Sequence, residues 1–314
     1  MAITPLNING TVVKPGHAEV VKIPVGRLPS GNQILIRAHV FHSRKAGPKV
    51  LILGGVHGDE INGVEIVRRA VTEEIFEDIT KGSVIAIPLL NVYGFINFSR
   101  DVTDGKDVNR SFPGSSSGSL ASRIARTLTK KILPNIDFGV DFHTGGKYLY
   151  NYPQIRFSKG DKKSLELAKA FGAPYLVAMP PISKSLRKSA LAEGKPILVY
   201  EGGETLRYDG ISIQKALNGI RRLLHTQGML AEKPEDEQTL LFQKATWMRA
   251  PRAGMFRWHK CSGHQIQKGE PIGVINDPFG LEDLTLYAPR AGYIIGHNNA
   301  PVVNQGDALF HIGF

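Results

Sequence analysis

His57 and Glu60 stand three residues apart in Gly54-Gly55-Val56-His57-Gly58-Asp59-Glu60. A neutral imidazole and a carboxylate at this spacing can both reach one zinc ion. The plainer alternative is a turn whose His and Glu only cap the helix that follows. A third ligand has to come from elsewhere in the chain. His143, in Val140-Asp141-Phe142-His143-Thr144-Gly145-Gly146, is the natural candidate. Two histidines and a glutamate form a set that keeps one position open for water, and zinc lowers the pKa of such a water and polarises a carbonyl. Asp141 precedes His143 by two, so on a strand both side chains leave one face. Asp141 is then either a partner that orients His143 or an aspartate bonded to nearby backbone.

Hydrolysis at such a site also needs a proton acceptor. Glu201, in Tyr200-Glu201-Gly202-Gly203-Glu204, can take a proton from water and return it to a leaving amine. Glu204 is the second candidate, and a surface glutamate in a turn is the plain reading of either. Between these segments run Asn91 to Arg100 and Asp107-Val108-Asn109-Arg110-Ser111. Two arginines and an asparagine in one glycine-bearing stretch suit a carboxylate-bearing substrate, though an ordinary surface loop has the same composition.

The elements that must position these groups alternate. Lys49 to Leu53 is a short branched apolar run, which reads as a buried strand. Ile61, Val64, Val67 and Val71 repeat at helical spacing. Strands are expected at Ser83 to Pro88, Asp137 to Phe142 and Pro196 to Tyr200, and helices over Leu120 to Ile132, Leu165 to Phe171 and Ile213 to Leu224. The three site segments thus fall in turns at the ends of strands, where open α/β sheets bind ligands. Alternation of this kind predicts an α/β fold, a mixed and largely parallel sheet flanked by helices. Residues 1–45 read as an N-terminal β element, with a turn at Pro29-Ser30-Gly31-Asn32 and a strand over Gln33 to His42. Residues 46–230 read as the catalytic domain, 231–245 as a linker and 246–314 as a C-terminal β-domain. In the last, Ala250-Pro251-Arg252-Ala253-Gly254 recurs as Ala288-Pro289-Arg290-Ala291-Gly292. The repeat resembles the biotinyl/lipoyl-carrier sandwich, but Asp277 to Leu286 holds no lysine to carry a cofactor, which leaves a structural role.

The chain has 314 residues, 42% hydrophobic and 21% charged, enough for a large core in about two domains. One cysteine, Cys261, excludes an intrachain disulfide and a thiolate zinc cage. No apolar run reaches ~18 residues and no leader is evident, so no membrane span is expected and a cytoplasmic location is. The net charge of +11 is dispersed and not interleaved with aromatics, so no nucleic-acid partner is expected. It suits a small anionic substrate. Homo-oligomers are common, and the β-domain offers a surface for one. No pair of the β-domain histidines, His259, His264, His297 and His311, has a partner carboxylate at ligand spacing.

His57-x-x-Glu60, Asp107-x-Asn109-Arg110, Asp141-x-His143 and Glu201-Gly202-Gly203, in this order, resemble the succinylglutamate desuccinylase/aspartoacylase family, a branch of the zinc carboxypeptidase-like hydrolases. The resemblance covers roughly residues 45 to 230. It implies one Zn2+ held by His57, Glu60 and His143, with Glu201 as general base and acid. It further implies Arg100 as the carbonyl-polarising arginine and Asn109-Arg110 as the clamp on a substrate carboxylate. The activity implied is deacylation of an N-acyl amino acid or related amine. A carboxypeptidase or peptide amidase on the same site is the alternative, and a non-enzymatic binder of anions or nucleic acid the second.

Overall fold

The computed structural model describes residues 4–28, 30–232 and 234–314. Through the first 226 residues run β1 (Leu6–Ile8), β2 (Thr11–Val13), β3 (His17–Arg27), β4 (Gln33–His42), β5 (Lys49–Gly54), α1 (Ile61–Thr72), β6 (Ser83–Ile87), α2 (Val92–Ile96), α3 (Leu120–Thr127), β7 (Phe138–Gly145), β8 (Leu149–Ser158), α4 (Lys162–Phe171), β9 (Tyr175–Met179), α5 (Leu186–Ala192), β10 (Ile197–Glu204) and α6 (Gly210–Thr226). Then come β11 (Leu240–Phe242), β12 (Ala245–Arg249), β13 (Gly254–Trp258), β14 (Gln265–Ile266), β15 (Pro271–Asn276), β16 (Asp283–Tyr287), β17 (Gly292–Asn298), β18 (Val302–Val303) and β19 (Ala308–Gly313). Of the residues expected to turn before β4, Pro29 lies outside the described residues, and Gly31 takes φ 87. Residues 1–3 and Lys233 lie outside them too.

One large sheet organises the molecule, in the order β12-β19-β17-β8-β10-β7-β5-β6-β4-β3, with β9, β11 and β14 pairing off this path. Its centre, β10-β7-β5-β6, is parallel. The expectation of a largely parallel sheet needs correction, because both flanks are antiparallel: β3, β4 and β6 on one side, and β10, β8, β17, β19 and β12 on the other. Connection length accounts for part of this, the hairpin of β3 with β4 and the reversal of β8 after β7. A strand reached by a short turn runs back the other way, whereas a parallel neighbour needs a long crossover. Only Gly146 to Tyr148 separate β7 from β8.

The strands of the centre are buried on both faces. Along β5, Val50 and Ile52 join the core under α1, α4 and α6. Leu51 and Leu53 point the other way, into a core shared with α3, α5 and the N-terminal strands. That is the two-residue period of a strand serving two layers. The segment 231–245 carries β11, which pairs in parallel with β9. After it, β16-β15-β13-β18 form a second sheet. Its inner face packs on that of β17 and β19, with Phe256 and Phe310 edge to face at 5.6 Å. This C-terminal part is all-β and continuous with the large sheet through β17, where Gly296 pairs with Asn151 of β8.

Candidate metal centre and active site

Parallel pairing brings the ends of three strands together. Gly54 of β5 lies beside Phe142 of β7, and His143 lies beside Glu201 of β10. Helix α1 then seats against β7 with no room to spare. A Cβ on Gly63 would stand 2.3 Å from the Phe142 carbonyl oxygen. Glu60, at the N-cap of α1, makes no side-chain cap to the helix, so the helix-capping alternative does not describe it. Its carboxylate instead turns inward. Oε1 lies 2.7 Å from His57 Nδ1, and Oε2 lies 2.7 Å from His143 Nδ1 and accepts from the Thr144 backbone N–H at 3.1 Å.

The three side chains are almost fully buried. A ligand atom from each lies within 4.8 Å of the others, the one group of this kind among the described residues. The two Nδ1 atoms are 3.1 Å apart. Each ring's other nitrogen meets an aspartate: His57 Nε2 donates to Asp107 Oδ1 at 3.2 Å, and His143 Nε2 lies within ion-pair distance of Asp141 Oδ2, at 2.8 Å. A carboxylate on Nε2 holds the proton there and leaves the Nδ1 lone pair free. Two imidazole lone pairs and a carboxylate then converge on one point, which is the donor chemistry of a divalent cation such as zinc. The carboxylates also set the charge on the rings. Burial disfavours charge on both rings, yet Glu60 with Asp107 holds His57 above its usual pKa, and Asp141 with Glu60 holds His143 well above it. Burial likewise opposes ionisation of Glu60, but the flanking His57 and His143 keep its carboxyl well below the usual range.

Arg100 reaches the same point from the loop after α2. Nε and Nη2 donate to Asp107 Oδ2 at 3.1 and 2.9 Å, and Nη1 donates to Glu60 Oε1 at 3.1 Å. Asp107 thus braces His57 with one oxygen and Arg100 with the other. Its own carboxyl is held far down despite burial by those two partners.

A cavity of about 200 Å³ opens beside this cluster, and Asn109, Arg110 and Glu201 line it with the metal-site residues. Glu201 is on a strand, not in the turn expected, because β10 continues through Glu204 with a register slip after Glu201. Asn109 is committed to the fold. Its Oδ1 accepts from the Leu186 N–H at 2.9 Å and so fixes the start of α5. Arg110 is exposed and donates to the Asn109 carbonyl at 2.7 Å. Glu204 bonds Asn299 Nδ2 at 2.7 Å and Arg207 at 3.1 Å and does not line the cavity.

Several cavity residues escaped the sequence reading. Asn151 and Arg156 of β8 bond Glu201. Arg187, first turn of α5, is buried and donates Nη2 to the Pro180 carbonyl at 3.0 Å, while its Nη1 has no partner among the described residues. Burial and the neighbouring Arg156 charge bring its pKa down to about 10. Trp247 of β12 closes the far wall, stacked on His311 at 4.5 Å with planes 6° apart. The signal for β8 lay in the polar residues spaced through Asn151-Tyr152-Pro153-Gln154-Ile155-Arg156. Nothing local marks Arg187 or Trp247.

A model of the succinylglutamate desuccinylase/aspartoacylase catalytic domain matches residues 46–226. An N-alpha-acetyl-L-2,4-diaminobutyric acid deacetylase of Halomonas elongata is 27% identical over 306 residues, 92% of this chain and 89% of that protein. Among solved structures, the product-bound ectoine utilization protein EutE (DoeB) of Ruegeria pomeroyi superposes with a TM-score of 0.84 at 26% identity, over 95% of this chain and 94% of that one. A succinylglutamate desuccinylase/aspartoacylase of Rhodobacter sphaeroides gives 0.84 at 27% identity, over 95% and 96%. The family model spans more than half of the chain, and the chain belongs to the succinylglutamate desuccinylase/aspartoacylase family of amide-bond hydrolases.

Proposed function

We propose that this enzyme is a zinc-dependent deacylase that hydrolyses the amide of a small N-acylated amino acid, with N-alpha-acetyl-L-2,4-diaminobutyrate the first substrate to test. The observation that carries the reading is the convergence of His57 Nδ1, His143 Nδ1 and the Glu60 carboxylate, each imidazole backed by its own aspartate. The deacetylase of Halomonas elongata, similar along nearly the whole chain, supports the choice of substrate.

His57, Glu60 and His143 would hold the ion. Bound zinc supplies Lewis acidity to the scissile carbonyl and a lowered pKa to water. Glu201 takes the proton from the attacking water and passes it to the leaving amine. Arg100, fixed by Asp107, presents Nη1 beside Glu60 and stabilises charge growing on the carbonyl oxygen. Arg110 and the buried Arg187 supply positive charge to a substrate carboxylate, and Asn109 holds α5 so that Arg187 stays in place. Arg187 adds to the clamp of Asn109 and Arg110 expected from the sequence.

A cavity of about 200 Å³ suits an N-acyl amino acid better than a peptide. We read residues 46–230 as the catalytic domain, with 1–45 as a β element packed on it and 231–245 as the link to a structural C-terminal β-domain. No helix among the described residues is long and apolar enough to cross a membrane. The test is a zinc assay of purified protein alongside a panel of N-acetyl and N-succinyl amino acids, acyl-diamines and dipeptides. Stoichiometric zinc and turnover of the acyl amino acids are expected. Protein without zinc, or cleavage of dipeptides alone, refutes the deacylase reading.

A further inference from the structure

A carboxylate that moves a proton must be held in one orientation, and both oxygens of Glu201 are held. Asn151 Nδ2 donates to Oε2 at 2.9 Å, and Arg156 Nη1 donates to Oε1 at 2.8 Å. Both donors come from β8, an odd number of residues apart, so on a regular strand they would project to opposite faces. The ladder between β10 and β8 is not regular. Glu201 pairs with Gln154, but Gly203 pairs with Asn151, so β8 carries one extra residue across this step. That bulge brings Asn151 to the face from which Arg156 already reaches Glu201. Bulges commonly re-aim a side chain beside an active site.

The clamp is backed from the far side of β8. Gly296 of β17 pairs with Asn151, and a Cβ on Gly296 would stand 2.8 Å from Asn151 Oδ1. The glycine lets the asparagine lie flat against the C-terminal strand. His311, in the next strand, is buried near Arg156, its pKa brought down to about 3 by burial and then by the Arg156 charge. Among the described residues Arg156 has one carboxylate partner, Glu201.

We propose that Arg156 and Asn151 are positioning residues that clamp the carboxylate of Glu201, aimed by the bulge in β8 and backed by Gly296 of β17. The inference rests on Glu201 as the base. A carboxylate freed from the clamp turns away from the attacking water. A misplacement of ~1 Å costs about 100-fold in rate, without loss of substrate affinity.

The test compares Arg156→Met, Arg156→Lys, Asn151→Ala and Glu201→Gln in the zinc-loaded enzyme, with the panel substrate that the wild type turns over fastest. Arg156→Met is expected to lower kcat by roughly 100-fold with KM within about 3-fold. Arg156→Lys restores part of kcat, because an ammonium supplies the charge without the fork. Loss confined to KM, or no rescue by lysine, overturns the clamp. Crystal structures of Arg156→Met and Asn151→Ala give a readout that needs no substrate. A Glu201 side chain displaced from its wild-type rotamer supports the proposal, and an unmoved one overturns it. Glu201→Gln at wild-type rate would remove the base assignment and not the clamp, so the two failures are distinguishable.

Discussion

Asp141 Oδ2 lies 2.8 Å from His143 Nε2, two residues along the same strand and on the same face. Both are buried, and Asp141 Oδ1 has no partner among the described residues. The aspartate is thus given over to the ring. It fixes the tautomer that turns Nδ1 toward Glu60. Asp141→Asn removes the charge and keeps the shape, and it is expected to weaken zinc binding by roughly 10- to 100-fold. Competition with a chromogenic chelator measures this. Unchanged affinity would count against the role given to Asp141.

Zinc held by the proposed ligands would bind the folded site and not the dispersed ligands of the unfolded chain, and so would stabilise the fold by mass action. At about 100 times the dissociation constant the gain is ~2.7 kcal/mol. Stripping the protein with a chelator should lower Tm, and added zinc should restore it. His57→Ala and His143→Ala should show no such response. Equal responses in wild type and variants would place the metal elsewhere.

Gly63 tests the seat of α1. The 2.3 Å approach to the Phe142 carbonyl leaves no space for a methyl group, and the obstacle is backbone. Gly63→Ala should cost about 1–3 kcal/mol, as overpacking does. Gly210, the first residue of α6, has open space where its Cβ would be, so Gly210→Ala should be neutral or slightly stabilising. Urea unfolding of both variants separates a true close approach from a general intolerance of substitution.

Arg187 is buried, with Nη1 unpaired among the described residues, a cost that a substrate carboxylate would relieve. Arg187→Met should raise KM by roughly 10- to 100-fold, leave kcat nearly unchanged and leave the fold intact. Steady-state kinetics decide it. A loss in kcat with KM intact would remove Arg187 from substrate binding.

His297 and His311 are buried and neutral, their pKa values brought down by burial to about 4 and about 3, from 6.5. Between those values and 6.5 the unfolded chain binds more protons than the folded one, so their contribution to stability is present above 6.5 and lost as pH falls. The part of the unfolding free energy that comes from these two rings should fall between pH ~7.5 and ~5.5, so over that range His311→Phe should lose less stability than the wild type. An equal drop in the variant would show that other groups set the pH dependence.

Much of the candidate site was legible in the sequence because His57, Glu60 and His143, which the fold brings together, lie in segments that announce themselves. His57 and Glu60 follow an apolar run and two glycines, and Asp141 and His143 share a face by the two-residue period of a strand. Glu201 stood at the end of a third apolar run. The alternation of strands and helices gave the centre of the sheet for the same reason. The sequence could not show that the flanks run antiparallel, since pairing is set by which edge is free when a strand returns. The signal of β8 is weak, because its polar Asn151 and Arg156 face a cavity and not water. Arg187 and Trp247 carry no local sign of their role, and only the packing of α5 and β12 around the cavity brings them to it.

What the amino-acid sequence determined by itself is the set of short-range relations: a His and a Glu three residues apart in one turn, an Asp and a His on one strand face, strands that end in the segments carrying them. Those follow from covalent spacing and local periodicity. What only the tertiary structure decided is every relation across distance. Asp107 braces both His57 and Arg100, Asn109 serves α5, and a bulge in β8 aims Asn151 and Arg156 at Glu201. Each depends on strand register and close packing, which no stretch of chain fixes until its neighbours are in place.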